Sequence, residues 1–431
     1  MVGVTYVDLA GVARMKPTVS SEIDSILDSG VKTARANYSL TTLELQTPHS
    51  AVDVSQGDLA IVPDPGTFVV PSFTPEVGRF IGNLREKDGS VSPLCTRSIF
   101  ARVLDAARSR GYRLRVGFES EFHIVKREGE KLAPADLSPV HSQNGYNLHH
   151  LLIADIMAAL RSVNISPLKA HIEGGRAQME VDVAPAEGLK PADDVVYFKD
   201  AVRTVTRRHG YIASFMPKIG HEWWGSGLHL HMSLWDSRGN NLFRDSANKK
   251  GLGLSRVCNH FIGGVLKHLR GLTAVAAPTV NSYKRILPGR WNADAVMYGP
   301  GARGAAVRIP DEKGKATRIE CRFPDGSCNP YLAMACILAA GLDGIELELD
   351  PGKPTTFDTS FMTDREIQGR GLKLMPRSLG EALAEFENDP LFRETLGKLV
   401  FEEYIRNKAF DIAQAADKVT QWEVDHYLDY F

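Results

Sequence analysis

The chain has 431 residues, 43% hydrophobic and 24% charged, with a formal net charge of -1. That balance is ordinary for a soluble globular protein and gives no surface built for nucleic acid or an anionic membrane. The longest apolar run, Leu332 to Leu342, falls short of the ~20 residues a helix needs to span a bilayer. The first residues, MVGVTYVDLAG, carry no basic stretch and no long apolar core, so no signal peptide is expected. The five cysteines form no CxxC pair. They are expected to be reduced thiols of a cytoplasmic protein, without a disulfide frame or zinc site.

Residues 1 to about 90 read as a small β-rich unit. Val4 to Asp8 and Val12 to Lys16 are strands around an Ala10-Gly11 turn, and Glu22 to Leu27 is a short helix. Leu59 to Val62 and Phe68 to Val70 are β runs divided by Pro63, Pro65 and Gly66. The polar stretch 87–93 sets a domain boundary. Ile99, Phe100, Val103, Leu104 and Ala107 recur at helical spacing, and Gly111 ends that helix. Further helices are expected over 149–163, 192–209, 254–269 and 329–347, and from Ser378 onward. Strands are expected at 211–217, 225–235, 305–309 and 318–323, with a polar loop over 281–304. Gly299, Gly301 and Gly304 fit G-x-G-x-x-G, but the match neither follows a clear strand nor opens a helix, so no dinucleotide site is expected.

The chemistry gathers on strand positions. In VGFESEFHIV, 116–125, Glu119 and Glu121 stand two residues apart and share one face of a strand. Two carboxylates that close are either solvated or held by a cation. Glu173 and Glu180, joined through a double glycine, His229 in GSGLHLHMSLW, and Glu320 in RIECR extend the set. An oxygen-rich donor set with one imidazole suits Mg2+ or Mn2+ better than Zn2+. Arg318, Glu320 and Arg322 share a face, as a solvated ion-pair ladder or as a metal ligand between two guanidinium groups. With Arg285, Arg303 and Arg308 they supply what a polyphosphate and a dicarboxylic amino acid need.

Seven stretches in order, ESEF (119–122), HIEGGRAQME (171–180), FMPK (215–218), GSGLHLHMS (225–233), NSYKR (281–285), RGAAVRIP (303–310) and RIECRFPDGSCNPYLA (318–333), resemble the glutamine synthetase family. VDLAGVARMKP and GDLAIVPDPGT extend the resemblance more weakly into the first 90 residues. It implies an α+β fold. A small β-grasp-like N-terminal domain, 1–92, would precede a larger catalytic domain, 93–431, with a curved antiparallel sheet and flanking helices. It implies a two-ended active site between subunits of a hexameric or dodecameric ring, and a reaction in which ATP phosphorylates the γ-carboxylate of L-glutamate before an amine displaces phosphate.

By the same resemblance, Glu121, Glu173 and Glu180 match ligands of the metal on the glutamate side. Glu119, His229 and Glu320 match ligands of the metal on the ATP side, with two or three Mg2+ or Mn2+ per site. His231, Ser233, Lys315 and Arg318 match ATP contacts. Arg285, Arg303 and Arg322 match residues holding glutamate and the transferring phosphate; Arg308 matches a phosphate-side arginine, and Gly225 a glutamate-binding backbone position.

Three departures bear on the amine. Ammonia-using members place a glutamate six residues after the arginine of NSYKR; here that residue is Trp291. Their N-terminal ammonium-binding aspartate has no counterpart in ARANYSLTTLE, 34–44. Trp224 stands where the family has asparagine before GSG. Fewer carboxylates and more aromatic surface fit an organic amine better than ammonium. The expected activity is therefore γ-glutamylamide synthesis. Glutamine synthetase proper, a different carboxylate substrate, or a homologue that has lost catalysis are the alternatives.

Overall fold

The computed structural model describes residues 1–129, 131–248, 251–286, 292–301 and 303–430. Its first strand, β1 (Val2–Val7), is buried along its whole length because it lies inside a five-stranded sheet. The other members are β2 (Ala13–Thr18), β3 (Val31–Ala34), β4 (Asp58–Pro63) and β5 (Gly78–Arg85), in the order β2-β1-β5-β4-β3. Helix α1 (Ile23–Ser29) packs on β4. The β1–β5 pair is parallel and the others antiparallel. The Phe68 to Val70 run forms no strand; only Val69 bridges to Arg79 of β5. Pro65–Thr67 coil into a 3-10 turn just before the run and Pro71 follows it, so its pairing is cut to that one bridge, while β5 runs on between β1 and β4 in the sheet.

Helix α2 (Thr96–Ser109) buries the five apolar residues its spacing selects. Gly111, at φ +84°, and Tyr112 close its end by donating to the carbonyls of Arg108 and Ala107. The chain then runs β6 (Arg113–Glu128), β7 (Lys131–Pro134), α3 (Gln143–Ser162), β8 (Pro167–Ile172), β9 (Gln178–Glu187) and α4 (Lys190–Arg208). It continues through β10 (Ile212–Ser214), β11 (Leu228–Trp235), α5 (Arg256–Ala276), β12 (Ala295–Pro300), β13 (Ala305–Ile309) and β14 (Ile319–Cys321). The helices α6 (Pro330–Glu346), α7 (Asp364–Gly369), α8 (Leu379–Asn388), α9 (Pro390–Leu396), α10 (Lys398–Ala416) and α11 (Gln421–Tyr427) complete it.

α3 starts six residues before the expected helix because Ser142 caps it, accepting from the Gly145 amide. Part of the expected loop 281–304 is β12, which pairs parallel to β13. Apart from that pair the nine-stranded sheet is antiparallel, with the path β12-β13-β14-β11-β6-β9-β8 and with β7 and β10 on β6. Gly299 lies in β12 and Gly304 directly precedes β13, so neither glycine opens a helix.

Two-residue alternation sorts the sheet. Val116, Phe118, Ser120 and Phe122 of β6 and Leu228, Leu230, Met232 and Leu234 of β11 are buried. On that side α2 and α4 pack, with Phe118 edge-on to Phe198. The intervening residues point to the opposite face, where the carboxylates and histidines collect. The N-terminal sheet docks through Asn329, whose side chain donates to the Asp8 carbonyl at 2.9 Å, and through Glu403, which accepts from the Ala51 amide at 2.6 Å.

Candidate active site

Strand register assembles the site. His229 lies opposite Glu119, His231 opposite Glu320, Glu119 opposite Asp182, Glu121 opposite Glu180, and Glu320 opposite Arg308. Five strands thus bring side chains distant in sequence onto one face. Glu119, His229 and Glu320 form one group of possible ligand atoms and Glu121, Glu180 and His229 a second, each spanning at most 4.8 Å. His229 joins them: Nδ1 is 3.4 Å from Glu119 and 3.7 Å from Glu320, and Nε2 is 3.8 Å from Glu121. Glu173, just past β8, lies 2.8 Å from His171 Nε2, which is 3.4 Å from Glu180.

The electrostatics suit divalent cations. Burial and then the charges of Glu121, Glu119, Glu173 and Asp182 push the Glu180 carboxyl far above the usual carboxylate range. Burial opposes charge at Glu119 too, but hydrogen bonds from His229 and His231 hold it well below that range. Glu320, wholly buried, stays ionised against its burial because Arg322, the two histidines and Arg308 draw it to about 2. Its oxygens each meet a guanidinium at 2.5 Å, from Arg308 and Arg322. Crowded carboxylates with one imidazole between them are a hard-cation donor set, so the residues fit Mg2+ or Mn2+.

At one end the face opens into a cavity of about 600 Å³. Arg115, Gly117, Glu119, His231, Ser233, Trp235, Lys315 and Arg318 line it. Arg318 donates to His231 Nδ1 at 2.9 Å. Trp235 donates to Ser233 at 2.9 Å, and the Arg115 guanidinium lies 4.1 Å over its ring. Gly117 keeps the floor open; a Cβ there would come within 3.0 Å of the Val183 carbonyl.

At the other end Gly225 and Gly227 cover Arg285. A Cβ on either would fall within 2.8 Å of that side chain. Arg285 is fully buried and donates to the carbonyls of Arg322 and Phe323, so its guanidinium braces this wall from behind. Arg303 is exposed on the turn between β12 and β13, and its carbonyl accepts from Arg322 Nε at 3.2 Å. Trp224 is 43% exposed with its indole on Gly174, where a Cβ would stand 2.8 Å from the ring. Trp291 lies outside the described residues.

Gln178 is a site residue that the motif pattern did not single out. It is buried, donates to Glu121 (3.3 Å), the Gly225 carbonyl (3.0 Å) and Ser226 (3.2 Å), and accepts from the Gly175 amide. A lone amide carries no charge signal, though its place two residues before Glu180 on an alternating strand put it on this face. Trp235, Arg115, Asp182 and His171 were passed over in the same way.

Residues 93–427 match the family described as glutamine synthetase, catalytic domain, and residues 1–92 match glutamine synthetase N-terminal domain. The chain belongs to the glutamine synthetase family. A glutamine synthetase of Halobacterium salinarum is 34% identical over 88% of this chain and 85% of its own length. A glutamate–methylamine ligase of Methyloversatilis universalis is 32% identical over 99% of this chain and 95% of its own. The solved GmaS/ADP complex superposes with a TM-score of 0.88 at 32% identity, covering 99% of this chain and 96% of that one. The protein is therefore a glutamine synthetase-type ligase acting on glutamate, and the family generally uses ATP and divalent metals. Among the described residues no helix is long and apolar enough to cross a membrane.

Proposed function

We propose that this ligase joins the γ-carboxylate of L-glutamate to an organic amine through γ-glutamyl phosphate, with ADP and phosphate as by-products. The observation carrying this reading is Trp224: a half-exposed indole on Gly174, beside Glu173, at the end of the site away from the large cavity. An aromatic wall there favours an amine with an apolar substituent over ammonium. The match to a glutamate–methylamine ligase along nearly the whole chain supports it. Glutamine synthetase proper is the second reading, favoured by the relatives of that name at 32% to 37% identity.

In this reading ATP enters the 600 Å³ cavity. Trp235 and Arg115 offer it a flat cationic wall, while His231, Ser233, Lys315 and Arg318 meet its polar groups. Glu119, His229 and Glu320 would hold one Mg2+ or Mn2+, and Glu121, Glu173 and Glu180 another. Bound there, such ions neutralise phosphate charge during transfer. Arg308 and Arg322, steered by Glu320, point guanidinium charge at the transferring group, and Arg303 joins them from its turn. Gly225 presents backbone to glutamate, with Arg285 behind it. A ring of subunits, each completing its neighbour's site, would exclude water from the acyl phosphate.

The test is phosphate release with Mg2+, ATP and glutamate over a panel of amines, for the wild type and Trp224→Ala. The reading predicts that the variant loses about tenfold or more in kcat/KM for the preferred organic amine, about the worth of one apolar contact, and loses little for ammonium. Equal losses for both would contradict it.

A further inference from the structure

We propose that His141, His171 and Glu173 form a further cation site, selective for a borderline ion such as Zn2+ or Co2+ over Mg2+, and that an ion bound there inhibits the ligase. The site shares Glu173 with the glutamate-side cluster; its inhibitory effect, though not its existence, rests on the functional reading above.

A ring nitrogen of each histidine and a carboxylate oxygen of Glu173 lie within 4.8 Å of one another. His171 Nε2 is 2.8 Å from Glu173, and the two imidazoles meet edge to face with centroids 5.1 Å apart. Two imidazoles and one carboxylate are the donor set of zinc sites that keep an open position. Mg2+ prefers oxygen, so the neighbouring Glu121 and Glu180 are the better place for it. Tetrahedral zinc, with bonds of about 2.0 Å, needs its ligand atoms about 3.3 Å apart. The three side chains must close by little more than a rotamer adjustment, which exposed His141 is free to make. The backbone holds it in reach, since the His141 amide donates to the Ile172 carbonyl at 3.0 Å, directly before Glu173. An ion here would draw Glu173 toward the histidines and sit beside Gly174, on which Trp224 lies. It would occupy the amine end and take a carboxylate from the glutamate-side cluster.

The experiment is a Co2+ titration of the full chain in saturating Mg2+, followed by visible d–d absorption, for the wild type and His141→Ala. His141 is exposed and outside the groups assigned to the reaction, so the variant should keep its melting temperature and its Mg2+-dependent turnover. The wild type should bind one Co2+ with the intense absorption of a four- or five-coordinate site. Zn2+ should displace that signal and inhibit phosphate release. The variant should bind Co2+ at least about tenfold more weakly, and need correspondingly more Zn2+ for inhibition, because loss of a ligand costs no less than loss of a supporting hydrogen bond. Absence of Co2+ absorption in Mg2+-saturated protein, or an unchanged titration in His141→Ala, would overturn the proposal. The absorption requires no amine, so failure of the organic-amine reading would appear separately, as a preference for ammonium.

Discussion

Gln178 ties three parts of the site together. One amide group fixes the Glu121 carboxylate, the Gly225 carbonyl and the Gly174-Gly175 turn. Gln178→Ala should therefore misplace Glu121 and lower kcat/KM by about 10- to 100-fold, as loss of a supporting hydrogen bond to a ligand does. A steady-state comparison with a melting curve checks this; an active variant would show that Glu121 needs no such orientation. At Glu180 the crowding is electrostatic. Its raised pKa means that the folded chain keeps a proton there which the unfolded chain gives up above the ordinary value of 4.5, so the crowding costs stability at neutral pH. A divalent cation among Glu121, Glu180 and His229 relieves that cost. Mg2+ or Mn2+ should raise the melting temperature at pH 7 and EDTA should lower it, and Glu180→Gln should shrink the difference. A melting temperature indifferent to both would contradict the cation assignment.

At the scale of elements, the sheet was legible where alternation was strict. The repeated His-x-His and Glu-x-Glu of β11 and β6 announce their faces, and register does the rest. The start of α3 is set by its cap, Ser142, which lies outside the apolar pattern, and α5 runs past its expected end at 269 to Ala276, where the Ala277 amide closes it on the Thr273 carbonyl. β12 was missed because only its pairing with β13 and its backing by α5 make its residues a strand. Nor does sequence spacing reveal that Arg285 is covered by Gly225 and Gly227, a tertiary fact with no local signature. The helices behind the sheet depend on close approach. Gly264 of α5 lies so near α6 that a Cβ would stand 2.0 Å from the Ala340 carbonyl. Gly264→Ala gains about 1 kcal/mol of helix propensity but must push the two helices apart, at a cost of about 3 kcal/mol or more. Thermal unfolding should show a drop of several degrees; an unchanged or higher melting temperature would mean that the pair is loosely packed.

For the whole molecule, the two sheets divide the work. The nine-stranded sheet carries the clustered carboxylates, histidines and arginines on one face and the core on the other. The five-stranded sheet is held to the helices by Asn329, Glu403 and Asn407, the last donating to the Ser39 carbonyl at 3.1 Å. The most direct test of the central claim offers the purified protein ammonium and methylamine together, at equal concentration, with Mg2+, ATP and glutamate, and identifies the products by mass spectrometry. The account predicts γ-glutamylmethylamide in clear excess over glutamine, growing with the apolar bulk of the amine until the Trp224 wall limits it. Glutamine as the main product would contradict it and leave this chain a glutamine synthetase in the strict sense.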